Sequence, residues 1–383
     1  MTRQTHRINP LRIANEMHND LSVRHKKGDK SICKIFTVKV FWAFISLIAS
    51  ITLLPLSLQA QGTTGTLAEN GTDSHNIAYA MMGPSNTIAV INLASREITD
   101  SIAVTGNPHG GALTPDGSQI YTSSMNSKWV SVIDTRSKKV ITKIDVGGIS
   151  HHATVRRDGR YVYVAAGRLI VIDTATNEII ARIKTLESPF YPAFDPDGRR
   201  LYVLSSGSTI SVIDSETNTQ IDTIKMGSKS MMGHLAVAPD GGTLYATNDR
   251  ADRLSIIDVE SGQLRAAVSV GKQPHGIAVQ TDGERVFVGN RGEKSISVVD
   301  PTTAKVVATR KLGGYPEHLS MTSKGDYLLV GLKNRFEEEG SRRNGSRKMT
   351  AAVTILDPNT LEIIEEIPAW PQVHDILVPQ TKR

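Results

Sequence analysis

The 383-residue sequence contains one cysteine, Cys33. That excludes a disulfide framework, a thiolate-held iron–sulfur cluster and any multi-cysteine metal site. Aromatic residues make up only 5%, which argues against a sticky aromatic surface. Several signatures of chemistry are missing as well. There is no serine nucleophile elbow, no phosphate-binding glycine loop, no His-Glu-x-x-His helix and no Cys-x-x-Cys-His haem attachment. No segment has a long helical period. What is present is ample apolar material, 39% against 21% charged residues, enough for a large core and too much for global disorder.

The body of the chain also lacks net charge. The formal total is +6, but residues 1–60 hold nine of the 44 Lys/Arg and only three of the 38 Asp/Glu. Residues 61–383 therefore carry 35 of each. A basic total would ordinarily raise nucleic acid as a partner; with the excess confined to the leader, nucleic acid is not expected. Residues 1–60 read as a signal peptide or signal anchor. A basic stretch precedes the apolar run Val40–Leu54, and Ser57-Leu58-Gln59-Ala60 supplies a small residue for cleavage. The alternative is an uncleaved anchor across 40–58. Either way the body is expected outside the cytoplasm, periplasmic or secreted, with no membrane association once the leader is removed. Residues 61–74 are expected to be a flexible mature N-terminus.

From residue 87 onward a phrase recurs: a β-branched run ending in Ile/Val-Asp, a turn, and a second apolar stretch. Its anchors are Asn92, Asp134, Asp173, Asp214, Asp258, Asp300 and Asp357, spaced by 42, 39, 41, 44, 42 and 57 residues. A near-constant period marks a repeat architecture. Within each period four runs alternate with period two and are broken by Asp-Gly and Asn turns, as in HGIAV, ERVFVGN, SISVVD and KVVATRKL. Four antiparallel strands per unit make a propeller blade. Six units begin near His109, His151, Phe190, Gly233, His275 and Glu317. A seventh first strand, Val373–Pro379, lies at the C-terminus, and its partners fall near 77–82, 87–92 and 97–103. The expectation is an all-β, seven-bladed propeller over 75–383, closed by the C-terminal strand so that no sheet edge is left open. The anchor Asp residues are expected to cap turns by bonding backbone.

Tyr121-Thr-Ser-Ser, Tyr163-Val-Ala-Ala, Tyr202-Val-Leu-Ser, Tyr245-Ala-Thr-Asn and Phe287-Val-Gly-Asn recur at one place in the unit, with Pro-Asp-Gly turns at 115–117, 196–198 and 239–241. In these features the chain resembles the YVTN-type propeller repeats, also called surface-layer or YncE-like, over about 75–379. The resemblance implies the fold; such propellers serve as structural, binding and enzymatic modules, so it leaves activity open. Related exported propellers imply one further feature, histidine-bound metal near the channel axis.

The histidines are the one chemical constellation. Aligning the first strands on their turns gives two adjacent columns at the strand entrance. One reads His109, His151, Phe190, Gly233, His275, Glu317, His374; the next reads Gly110, His152, Tyr191, His234, Gly276, His318, Asp375. Imidazoles and carboxylates converging from separate strands can hold a first-row metal or form an acid–base pair. The candidate ligands are His109, His151, His152, His234, His275, Glu317, His318, His374 and Asp375. Zinc or copper suits such a set. Iron is less expected, since it needs a mixed group such as His318 with Glu317 or Asp375. The structural alternative is that the Pro-His-Gly histidines, His109 and His275, simply bond neighbouring backbone. Adjacent strand residues point to opposite sides, so both members of a pair cannot readily serve one metal without a bend. Phe190 and Tyr191 would give the mouth one aromatic wall.

The long step from Asp300 to Asp357 reflects an insertion, KNRFEEEGSRRNGSRKMT at 333–350. It falls between strands two and three, on the histidine face, as a solvated loop or a cover. Three functional classes stand at this point: an exported metal carrier or store, a metal-dependent oxidoreductase or lyase acting on a small anionic substrate, and a metal-free envelope scaffold with a protein partner.

Overall fold

The computed structural model describes residues 76–226, 233–333, 351–369 and 371–380. The leader, the 61–74 segment, His75 and residues 334–350 of the insertion lie outside the described residues. Among the described residues no helix is long and apolar enough to cross a membrane.

The strands, β1 to β28, form seven four-stranded antiparallel sheets. Blade 1 contains β1 (Ile77–Met82), β2 (Thr87–Asn92) and β3 (Glu97–Ala103), and β28 (Asp375–Leu377) completes it by pairing with β1, Ala80 opposite Ile376. Blades 2 to 7 follow in chain order. Their innermost strands are β4 (Pro108–Leu113), β8 (Ala153–Val155), β12 (Pro189–Phe194), β16 (Leu235–Val237), β20 (Pro274–Val279) and β24 (Tyr315–Met321). The ring is the expected one, closed by the C-terminal strand. In blade 7 the second strand ends at Lys333 and the third starts at Ala352, so Lys333, counted with the insertion in the sequence, belongs to the strand.

Each blade obeys the same local rule. The anchor side chain accepts the backbone N–H two or three residues on: Asp134 from Ser137 at 2.6 Å, Asp214 from Glu216 at 2.9 Å and Asp300 from Thr302 at 2.8 Å, with Asn92 doing the same in blade 1. Four residues after each anchor the chain enters the left-handed region, at Arg96, Lys138, Asn177, Asn218, Gly262, Ala304 and Leu361. The fourth strand then starts across a bulge, for instance between Val132 and Ile133. Apolar side chains of neighbouring blades meet in separate cores. One joins Tyr121 and Val132 to Val164 and Ile172. Another joins Leu329 and Val353 of blade 7 to Ala78, Ile91 and Ile376 of blade 1, so the ring closes on apolar packing as well as strand pairing. The signature tyrosines stitch blades together: Tyr121 Oη donates to Asn177 Oδ1 at 2.6 Å, and Tyr163 Oη to Asn218 Oδ1 at 2.7 Å.

Candidate metal centre

The innermost strands are irregular where they enter the ring. In blades 2, 4, 6 and 7 the pairing register shifts just after a proline: between Pro108 and Gly111, Pro189 and Tyr191, Pro274 and Ile277, and Pro316 and His318. Proline has no N–H to give the ladder, and a bulge re-aims the side chains beside it. His109, Phe190, His275 and Glu317 fall out of the pairing at these points. In blades 3 and 5 the strand starts one residue past the histidine, at Ala153 and Leu235. These irregularities separate the two columns that regular alternation would simply set on opposite sides.

His152, His234 and His318, all of the second column, converge. Each offers a ring nitrogen within 4.8 Å of the others. Their ring centroids lie 5.2, 4.8 and 4.2 Å apart in the pairs 152–234, 152–318 and 234–318. They are buried, with 3%, 1% and 3% of their surface exposed. The Nε2 atom of every one is buried without a hydrogen-bond partner in the protein. A buried polar atom left unpaired costs about 1–3 kcal/mol, so three such atoms on three adjoining rings are a costly arrangement unless a partner binds them. Burial first, and then repulsion from neighbouring imidazoles, holds His152 and His234 well below the ordinary histidine range. Both are neutral at neutral pH, with lone pairs free to coordinate. The cluster is therefore capable of coordinating a metal ion. Glycine in the second column leaves room for it: a Cβ on Gly110 would lie 2.3 Å from His152 Nδ1, and one on Gly276 would lie 2.5 Å from the Glu317 carbonyl oxygen.

Asp375 stands behind the cluster. His318 Nδ1 donates to Asp375 Oδ1 at 2.9 Å. That carboxylate also accepts from Ile376 N at 2.8 Å and Gly111 N at 3.1 Å. Burial pushes its carboxyl up, but the contact with His318 and the two backbone N–H groups outweigh burial and hold it below the usual range. The contact fixes the His318 tautomer with its proton on Nδ1, leaving Nε2 as the donor atom, a carboxylate–imidazole arrangement common behind metal ligands.

The remaining candidates surround the cluster. His275 Nε2 lies 3.6 Å from Glu317 Oε2, which also receives Arg291 at 3.3 Å. The His275 ring is 4.1 Å from that of His234. His109 packs against His374 at 4.6 Å and His152 at 5.0 Å, and burial, followed by repulsion from His318 and His151, lowers it to about 3. His109 Nδ1 is 3.3 Å from the His151 carbonyl oxygen, the backbone contact expected of a Pro-His-Gly histidine. His151 packs against Phe190, ring centroids 4.7 Å apart and tilted by 42°. Tyr191 stacks on His234 at 4.3 Å and lies 4.5 Å from His152, so the aromatic wall is present.

Two contributors escaped the sequence reading. Thr247 Oγ1 accepts from His234 N at 2.8 Å and donates to the His275 carbonyl oxygen at 2.8 Å. Ser123 Oγ likewise accepts from Gly110 N and donates to the His151 carbonyl oxygen. Both sit two residues after the signature tyrosine, and a hydroxyl at that position was the available signal.

The channel beyond the cluster holds a cavity of about 1230 Å³ that opens to solvent. Its wall includes His152, Tyr191 and Asp375 at one end and the turns at Asp116, Asp158 and Pro239 at the other.

The profile of the family described as outer membrane protein assembly factor BamB (PQQ_2) matches residues 111–328, more than half of the chain. The chain belongs to this family. No curated protein matches the sequence. Solved structures do resemble this PQQ_2 propeller. Hydrazine synthase of Kuenenia stuttgartiensis aligns with TM-score 0.60 and 19% identity, over 78% of this chain and 99% of that one. Dihydro-heme d1 dehydrogenase NirN aligns with TM-score 0.60 and 16% identity, over 80% and 76%. A functionally unknown protein from Desulfotomaculum acetoxidans aligns with TM-score 0.66 and 14% identity, over 80% and 100%. At such identities the likeness is one of fold.

Proposed function

We propose that this is an exported propeller that binds one transition-metal ion, zinc or copper, through His152, His234 and His318, for carriage or storage. The observation that carries the reading is the convergence of three buried imidazoles, one ring nitrogen of each within 4.8 Å of the others, whose Nε2 atoms have no partner in the protein. Neutral imidazole nitrogen suits zinc and copper among first-row ions. Iron would call for a carboxylate in the set, and Asp375 and Glu317 are engaged by His318 and Arg291. Export is supported by the order of basic, apolar and small-residue segments in 1–60. Kinship with YVTN-type repeats is supported by the recurring tyrosine phrase and the Pro-Asp-Gly turns. One observation favours a second reading, a metal-dependent oxidoreductase or lyase acting on a small anion: the channel cavity reaches His152.

The test is elemental analysis of untagged protein purified without chelator. Stoichiometric zinc or copper is expected, and alanine at His152, His234 or His318 should lower it while circular dichroism stays that of a folded ring. Occupancy unchanged in all three variants would remove these residues from the centre. Absence of any metal after loading would leave the scaffold reading in place.

A further inference from the structure

The metal set supplied by the described residues stops at three. Asp375 uses both oxygens, on His318 and on the backbone of Gly111 and Ile376. Glu317 faces Arg291 and His275. A tetrahedral ion with three imidazoles keeps a fourth position for an outside ligand. His152 belongs both to the cluster and to the wall of the channel cavity, so that position communicates with the channel.

The channel wall just beyond the cluster follows from strand geometry. Residues two apart on a strand face the same way. Thr154, Ala236 and Ser320 follow His152, His234 and His318 by two, and all three line the cavity. They are small, and two carry hydroxyls. The charge at the centre also selects a ligand. A divalent ion, three neutral imidazoles and the Asp375 carboxylate leave one positive charge, while Glu317 and Arg291 cancel each other. An uncompensated charge in a buried site is costly.

Resting on the metal reading above, we propose that a small monoanion with an oxygen or nitrogen donor enters through the channel, passes Thr154, Ala236 and Ser320, and takes the fourth position on the ion held by His152, His234 and His318. Its negative charge neutralises the centre, and the Thr154 hydroxyl gives it polar company that an apolar channel would not, the Ser320 hydroxyl being already donated to the Ile376 carbonyl oxygen.

The probe is azide on the cobalt(II)-loaded full chain, with metal content and visible absorption measured separately. Expected is bound cobalt in stoichiometric amount and a saturable change in the cobalt bands on azide addition. Ala236→Phe, which fills the channel beside His234, should weaken azide at least tenfold with cobalt content retained; Thr154→Leu does the same from another blade if the first variant fails to fold. Failure to take up cobalt overturns the metal reading itself. Bound cobalt with bands indifferent to azide overturns the open position alone. Azide affinity unchanged in a folded channel-filling variant overturns the channel as the route.

Discussion

Asp375→Asn changes one oxygen to nitrogen and nothing in side-chain shape, yet the contacts around it leave no comfortable way to place the amide. In the native protein the carboxylate accepts three hydrogens, from His318 Nδ1, Ile376 N and Gly111 N. Asparagine has one accepting oxygen. With that oxygen toward His318, the amide NH₂ opposes Gly111 N–H, donor against donor. With the amide reversed, its NH₂ meets His318 Nδ1. The imidazole must then shift its proton to Nε2, the atom aimed at the cluster. Either outcome weakens the third metal ligand. Removing a carboxylate partner from behind a ligating histidine typically costs 10–100-fold in affinity, about 1.4–2.7 kcal/mol. The assay is competition against a chromophoric zinc chelator at neutral pH, with the thermal midpoint of the metal-free protein measured in parallel because Asp375 lies on the closing strand. Leu377→Ala is the control. It thins the packing of the same strand against blade 2 and leaves the carboxylate in place, so it should lower the midpoint and spare zinc affinity. A folded Asp375→Asn protein with native zinc affinity would refute the argument that this carboxylate acts through His318.

Metal-free protein should lose stability steeply as pH falls below about 6.5, the ordinary histidine value. His109, His152, His234 and His374 are all depressed in the fold, burial being the first cause of each, His109 to about 3. Above 6.5 these groups are neutral in both states and stability is full. Below it the unfolded chain takes up protons that the folded one refuses, and each group shifts the equilibrium toward unfolding by about tenfold per pH unit until its folded value is reached. Urea midpoints at pH 7, 6 and 5 measure this, and a flat profile contradicts it. Zinc at a hundredfold its dissociation constant should stabilise the native ring by about 2.7 kcal/mol, several degrees in Tm, and His234→Ala should abolish that gain in a calorimetric scan. Tyr163→Phe removes the 2.7 Å bond to Asn218 between blades 3 and 4; it should cost about 1–2 kcal/mol by denaturant titration, with metal content unchanged.

The blade count and the closing strand were legible because a repeat states its unit many times over. Every unit must bury its faces against its neighbours, so the same pattern of alternation and turns has to recur. The convergence of His152, His234 and His318 was only half legible. Their register position was visible, but so was that of His109, His151 and His275 one residue earlier. Choosing between the columns depends on how each chain enters its innermost strand, by a register shift at Pro316 for His318 and by a strand that starts only at Ala153 and Leu235 for His152 and His234, and strand alternation does not state the backbone geometry ahead of a strand's first pair. The place of Asp375 was hidden for another reason. Whether a carboxylate binds metal or orients a ligand depends on an interaction across 57 residues of sequence, His318 to Asp375, that only ring closure brings about.

Seven-fold repetition also explains why these three positions suffice. The second column presents one residue per blade to the axis: Asp375, Gly110, His152, Tyr191, His234, Gly276 and His318 from blades 1 to 7. The histidines occupy blades 3, 5 and 7, separated around the ring by two, two and three blades. Three-fold symmetry is unavailable to seven blades, and this spacing is as near to it as seven allows. Each imidazole thus reaches the axis from its own direction, as three ligands around one ion must. The gap at blade 4 is filled by Tyr191, stacked on His234, and the gap at blade 6 by Gly276, where a larger residue would strike the backbone of Glu317. The widest gap falls between blades 7 and 3. There Gly110 gives His152 its clearance, and Asp375 turns its carboxylate onto His318 and the Gly111 backbone. The residues between the histidines are thus the ones that let three side chains on a seven-fold scaffold meet at one point.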